Sequence, residues 1–246
     1  DQVILSNSLE NLHFDVPVLA SPMDTVVNPA VAQVFSKFRA MAIIQRAQSI
    51  ESQVEEVKIS GDFVGAAVGL GTDSIDRAER LIQAGAKLIS LDVAHADTKY
   101  AFETLGGLYK LPVPIISGNV ATADAAKRLV DIGAKTIKVG MGPGSICTTR
   151  IVSGVGIPQL FAIQSIYQAL KNTEIKIIAD GGIKTTGDMM KAFAAGADFI
   201  MCGNFFSNTK ESPGNRITID GRVYKEYRGM GSKSAMKERF AHDRYL

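Results

Sequence analysis

The segment Gly140-Met141-Gly142-Pro143-Gly144-Ser145-Ile146-Cys147-Thr148-Thr149-Arg150 holds the residues best suited to chemistry. Cys147 has polar, loop-like flanks, and a thiol becomes a nucleophile once its pKa falls or a base stands beside it. Thr149 lies two residues on, where a hydroxyl can orient a water or pass a proton. Gly140, Gly142 and Gly144 alternate ahead of the thiol. Glycines permit positive φ and close backbone approach, so successive N–H or C=O groups can converge on an ion. Ser145 adds a hydroxyl suited to a phosphate. A glycine-rich loop alone is weak evidence, since many are bare turns. This one runs straight into a thiol and two hydroxyl residues, which is far more specific. The other cysteine, Cys202, ends an apolar run and reads as a buried structural thiol.

Such residues need a frame that brings them together. Eight short apolar runs recur, at residues 16–20, 41–44, 63–68, 88–92, 113–117, 136–139, 175–179 and 199–202. Their starts lie 22 to 25 residues apart, except for a 39-residue step before the seventh. That spacing leaves room for one helix per unit. Continuous apolar strands alternating with helices imply a parallel sheet covered on both faces. Helices are predicted at residues 73–84, with Ile75, Ala78, Leu81 and Ile82 on one stripe, at 121–132, with Thr122 or Asp124 near its start, and at 186–195. Gly85, Gly133 and Gly196 stand where helices commonly stop. Eight such units fit a closed (β/α)8 barrel of the α/β class better than a doubly wound sheet, the structural alternative. The length, 246 residues, suits one barrel, which typically needs roughly 250. The expectation is a single catalytic barrel domain over 1–246.

Barrel sites sit at the C-terminal ends of strands. The long step before the seventh strand holds the Cys147 segment, and extra length in a βα loop points to function. Asp180-Gly181-Gly182 after strand seven and Gly203-Asn204 after strand eight stand where barrels often bind phosphate. Asp180 can accept bonds from ribose hydroxyls; the glycines alone would also serve as plain turns. Asp92 ends strand four and Asn119 follows strand five, both facing the mouth, although Asp92 can equally cap the next helix. Ser21-Pro22-Met23-Asp24 follows strand one and can line a base pocket. His95 reads as a surface loop residue. After strand eight, about residues 205–246, Arg216–Ile219 and residues 222–227 flank Asp220-Gly221, a strong hairpin signal. Residues 229–246 are polar and mixed and read as a mobile flap. No eighth packing helix is obvious.

Composition narrows the rest. Hydrophobic residues make up 46% and charged residues 21%, enough for a packed core. The net charge of +2 gives no electrostatic footprint for nucleic acid or anionic membrane. No apolar run is long enough to span a bilayer, and no signal peptide is legible. The chain opens on Asp1 rather than Met, so a native N-terminus upstream is expected. Two cysteines form no disulfide framework, which favours a reducing, cytoplasmic setting. His13, His95 and His242 show no metal-ligand spacing.

Together these residues resemble the IMP dehydrogenase/GMP reductase family over nearly the whole chain. The resemblance rests on residues 142–150 (GPGSICTTR), Gly154-Val155-Gly156 with Pro158-Gln159, residues 179–183 (ADGGI), 211–214 (ESPG) and 227–232 (YRGMGS). GPGSICTTR in register with ADGGI is highly specific. The resemblance implies that Cys147 attacks C2 of a purine nucleotide, IMP or GMP. It implies that Ser145, Gly182, Gly203 and Tyr227 hold the phosphate, and Asp180 the ribose. Asn204 stands at a phosphate position where the family usually has Ser or Gly. Gly229, Met230 and Gly231 meet the base, with Ser21 and Met23 beneath it. Asp92 and Asn119, with Gly140 and Gly142, serve the nicotinamide dinucleotide. Gly142, Gly144 and Cys147 offer carbonyls to a monovalent cation, potassium in many members. A homotetramer is implied as well.

The family divides into two reactions, and the resemblance implies the first more strongly. One oxidises IMP to XMP with NAD and hydrolyses a covalent adduct; the other reduces GMP to IMP and ammonia with NADPH. Asp243-Arg244-Tyr245 resembles the flap in which an Arg-Tyr pair activates the hydrolytic water, assigning Arg244 and Tyr245 to that step. Residues 92–95 and 194–199 resemble reductases about as well. Gln45-Arg46 replaces a His-Lys-like pair, and Arg46 cannot readily donate the proton that a reductase takes from lysine. Residues 45–61 leave no room for the regulatory domains many dehydrogenases insert there. A nucleotide-binding barrel without turnover is the remaining alternative, motivated by Gln45, Arg46 and Asn204.

Overall fold

The computed structural model describes residues 3–230. Gly231, Arg244 and Tyr245, with most of the expected flap, lie outside the described residues.

Eight parallel strands close into a barrel. They are β3 (Val18–Ala20), β4 (Met41–Ile44), β5 (Gly65–Val68), β6 (Leu88–Leu91), β7 (Ile115–Val120), β8 (Thr136–Val139), β9 (Lys176–Asp180) and β10 (Phe199–Cys202). β10 pairs with both β9 and β3, which closes the ring and excludes the open doubly wound sheet. The helices between them are α1 (Pro29–Lys37), α2 (Ile50–Lys58), α3 (Ser74–Gln83), α4 (Lys99–Leu108), α5 (Ala123–Asp131), α6 (Thr149–Ser153), α7 (Gln159–Leu170), α8 (Thr186–Ala194) and α9 (Asn204–Ser207). Local signals start many of them. Asn28, Thr98, Thr122 and Thr185 each accept a backbone N–H at a helix N-terminus, and a cap of this kind contributes about 1 kcal/mol.

Side chains on a strand alternate between faces, and here that alternation sorts the barrel into layers. Leu19, Met41, Ile43, Ala67, Leu88, Ile116, Ile178, Phe199 and Met201 form an inner apolar cluster. Their strand neighbours Ala20, Ala42, Ile44, Ala66, Ile89, Ile137 and Ile177 pack in the other cluster, with the surrounding helices. Continuing two residues at a time along the inner face gives Ser21, Gln45, Ser90 then Asp92, Lys138 then Gly140, Asp180, and Gly203. The face that is apolar at the strand starts therefore turns polar at their C-terminal ends. Geometry alone directs the polar residues into the mouth.

A short hairpin lies at the other end. β1 (Asn7–Leu9) pairs antiparallel with β2 (Leu12–Phe14). Leu9 and Phe14 are fully buried in the inner cluster. Phe14 meets Phe63 and Phe199 edge-on, each at 5.0 Å between ring centres. This plug was not foreseen, because two three-residue strands are too short to display alternation. β11 (Arg216–Ile219) and β12 (Arg222–Lys225) form the expected hairpin around Asp220-Gly221.

Several expected boundaries shift. Asn119 and Asp180 belong to β7 and β9 rather than to the loops after them. Asp92 lies one residue past β6 and does not cap α4; Thr98 does, its hydroxyl accepting from the Ala101 N–H at 3.2 Å. The second hairpin strand stops at Lys225, so Tyr227 is free of the ladder. A four-residue helix, α9, follows β10, where none had been obvious.

Candidate active site

One cleft opens at the C-terminal end of the barrel. It is lined by Ser21, Met23, Asp92, Asn119, Lys138, Gly140, Gly142, Gly144, Ser145, Cys147, Thr149, Asp180, Gly182, Gly203, Asn204, Tyr227, Gly229 and Met230, among others. Every described residue expected at the site lines it. The space between its walls, open to solvent, is about 1170 Å³.

The Cys147 loop leaves β8 through glycines that no other residue replaces without strain. Gly140 has φ +148, and a Cβ there would lie 2.2 Å from the Asp180 carbonyl. That contact lets the loop cross directly over the end of β9. Gln159 fastens the same crossing: its side-chain amide donates to Val139 O at 2.8 Å and Asp180 O at 3.2 Å. Beyond it, the Cys147 N–H donates to Gly144 O at 3.0 Å, a tight turn that lifts the thiol into the cleft. The thiol is half-buried and donates to Thr149 Oγ1 at 3.2 Å. A nucleophile and a hydroxyl thus share one bond at the start of α6.

Opposite stand the loops after β9 and β10. Gly181 and Gly182 carry φ +87 and +79 and pack on Pro143 and Gly144, so the two loops touch. A Cβ on Gly203 would lie 2.9 Å from both Met23 Sδ and Tyr227 Oη, and the Tyr227 phenol hydrogen-bonds Ser145. Ser145, Gly203, Met23 and Tyr227 are therefore neighbours. Burial pushes the Tyr227 phenol up to about 12, so at neutral pH it remains a donor. The chain beyond is anchored by Arg228, whose guanidinium holds the buried Asp24 carboxylate, with Nε–Oδ2 at 3.1 Å.

Deeper in the mouth the charges pair. Asn119 Nδ2 donates to Asp180 Oδ2 at 2.7 Å. Asp92 is buried against Arg46, Nε to Oδ2 at 3.3 Å, and its carbonyl accepts from the same Nε at 3.2 Å. A buried pair costs desolvation on both sides, which is worth bearing only where an oriented charge is needed. Lys138 lies fully buried on the floor, donating to Leu91 O at 3.1 Å and Ser90 Oγ at 3.3 Å. Sequence reasoning overlooked this lysine, although its place in the apolar run 136–139 was the signal: a charge inside such a strand must point into the barrel. His95 is half-buried rather than on the surface.

Cys202 also lines the cleft but is 1% exposed, and burial, with the Asp180 charge, pushes its thiol up to about 12. At pH 8 its thiolate fraction is about 10⁻⁴. Iodoacetamide should therefore label the folded protein at Cys147 alone, and both cysteines after unfolding in urea. Peptide mass mapping reads this, and comparable labelling of Cys202 in the folded state would refute its inert role. Among the described residues, no group of three or more His, Cys, Asp or Glu side chains can hold a metal, and no helix is long and apolar enough to cross a membrane.

A sequence profile for the IMP dehydrogenase / GMP reductase domain matches residues 1–246. An inosine-5'-monophosphate dehydrogenase of Aquifex aeolicus is 52% identical over 74% of this chain, which spans 38% of that protein's length. Proteins of the same name from Borreliella burgdorferi and Cryptosporidium parvum are 39% and 38% identical over 96% of this chain, matching 72% and 70% of their own lengths.

Proposed function

Because the chain belongs to the IMP dehydrogenase/GMP reductase family, we propose that it oxidises IMP to XMP with NAD through a covalent adduct on Cys147. The observation that carries this reading is the convergence, in one cleft, of Cys147 paired to Thr149 with Ser145, Gly203, Tyr227 and Asp180 across from it. A nucleotide fits that spacing of roles. Backbone N–H groups of Gly182 and Gly203, the neighbouring Asn204 and the hydroxyls of Ser145 and Tyr227 take the phosphate. The Asp180 carboxylate takes the ribose hydroxyls. Met23, Ser21, Gly229 and Met230 bracket the base and turn C2 toward the thiol; Gly231, outside the described residues, is assigned to the same base.

The reaction then balances as follows. The Cys147 sulfur, its proton released, bonds to C2 of IMP. A dinucleotide held by Asp92, Asn119 and the backbone at Gly140 and Gly142 would supply the acceptor for the hydride that leaves C2. Cys147 is left joined to C2 as a thioimidate. Water adds to C2, the C–S bond breaks, the thiol is restored and XMP departs. The sum is IMP, NAD⁺ and water giving XMP, NADH and a proton. Thr149, bonded to the thiol, is assigned to hold the water; Arg244 and Tyr245, outside the described residues, are assigned its deprotonation. Asp92 and Asn119, with the backbone at Gly140 and Gly142, face the nicotinamide, and the Arg46 pair keeps Asp92 oriented.

A monovalent cation also fits this loop. With no cluster of carboxylate, thiolate or imidazole ligands among the described residues, the donors on offer are the carbonyls of Gly142, Gly144 and Cys147. Oxygen donors of that kind suit a hard ion, and potassium is our assignment. Its charge would stiffen the loop. A cytoplasmic homotetramer is the proposed setting, supported by the family, by two free cysteines and by exposed apolar side chains such as Ile151 and Phe161.

The test is spectrophotometric. IMP with NAD should raise absorbance at the NADH band, and GMP with NADPH should give no consumption. The reverse pattern would overturn the assignment in favour of reduction, and silence with both would favour a binding barrel.

A further inference from the structure

The loop that carries Cys147 begins at Met141 and ends at Ile157, and one side chain joins its two ends. Arg150 Nε donates to Met141 O at 3.0 Å, and the same guanidinium donates through a terminal nitrogen to Ile157 O. Room for this is made by two glycines from opposite ends of the loop. A Cβ on Gly142 would lie 2.8 Å from Arg150 Cγ. A Cβ on Gly156 would lie 2.6 Å from Nε and 2.7 Å from Cγ. Gly142 also carries φ +69, whereas Gly156 has no positive φ, so only the arginine needs its bare Cα.

We propose that Arg150 is a positioning residue for Cys147: its guanidinium braces the loop across both ends and holds the thiol over the substrate site. The inference deepens the proposed reaction and rests on it for the role of the thiol. Arg150 sits one residue after Thr149 in α6, so the brace and the Cys147–Thr149 pair share one turn of backbone. The loop's other supports, Gln159 at its foot, the packing of Gly181 and Gly182 on Pro143 and Gly144, and the Tyr227–Ser145 bond, touch its first half or its base and do not join its two ends. A planar fork satisfies two carbonyls at once. A lysine ammonium is a point donor on a flexible stem and lacks the rigid fork that spans the two carbonyls.

The experiment compares wild type, Arg150→Met, Arg150→Lys, Gly156→Ala and the Arg150→Met/Gly156→Ala double variant. Gly156→Ala keeps the charge but pushes the side chain off its carbonyls, so it stands in should Arg150→Met fail to fold. Hydrogen exchange should rise at least about tenfold for amides in residues 141–157 and stay unchanged in β4 to β7. kcat for IMP oxidation should fall by about tenfold or more. The rate of Cys147 alkylation by iodoacetamide should stay within about threefold, because a small reagent does not require one thiol position. The double variant should match Arg150→Met alone, since both changes remove one interaction, and Arg150→Lys should restore little. Unchanged exchange in the loop, additive effects, or full activity despite faster exchange would each overturn the proposal. Absence of IMP turnover in the wild type would instead remove the proposed reaction, and the exchange comparison would still decide whether Arg150 braces the loop.

Discussion

Cys147→Ala is expected to lower kcat for IMP oxidation by at least about 10⁴-fold, in line with the loss of other nucleophiles, while IMP still binds. The reason lies in the chemistry at C2. A hydride leaves readily only after a nucleophile has added there, and no other described side chain in the cleft offers a comparable one; the second thiol is protonated and 1% exposed. The proposed binding groups, Ser145, the loops after β9 and β10 and Tyr227, are not altered by the substitution. The Kd for IMP, measured by calorimetry, should therefore stay within about threefold of wild type. Mass spectrometry of the wild type quenched during turnover should show a protein–purine adduct that the variant lacks. Turnover surviving in the variant would remove Cys147 from the mechanism.

Asp180→Ala should act on binding instead. The carboxylate stands at the end of β9, accepts from Asn119 at 2.7 Å and lines the cleft. Its loss removes charge-assisted bonds to ribose worth about 2–3 kcal/mol, which raises KM for IMP by about 30- to 150-fold. The backbone of Asp180, which Gln159 and Gly140 contact, is untouched by the substitution, so the barrel should fold. A 2′,3′-dideoxy analogue of IMP should bind wild type and variant equally. If KM for IMP moved less than about threefold, or if the analogue were affected as strongly, the ribose role would fall.

Much of this architecture was readable from residue order. The eight runs became eight strands, because a strand covered on both faces must be apolar throughout, and helices had to fill the intervals. The cleft followed from the rule that barrel loops meet at one end. Legibility failed where a residue's role depends on partners far along the chain. Lys138 was hidden inside an apolar strand, although its position two residues past Thr136 on the inner face was available. The Arg46–Asp92 pair joins the ends of β4 and β6 and has no local signature. Arg150 was noted only as the last letter of a motif, since nothing in sequence tells an arginine that braces carbonyls from one in solvent. The β1–β2 plug failed for want of length. Gly231, Arg244 and Tyr245 lie outside the described residues, so their expected roles stand on the family alone.

That plug also governs traffic. Phe14, wedged between Phe63 and Phe199, plugs the lower end of the barrel beneath a layer of buried leucine, isoleucine and methionine. On the proposed reaction, nucleotide, dinucleotide and water would all enter through the cleft at the other end. In that reaction the spent dinucleotide would have to clear the mouth before water could take its place at C2. If the proposed reaction holds, product inhibition patterns should report a sequential exit rather than a random one.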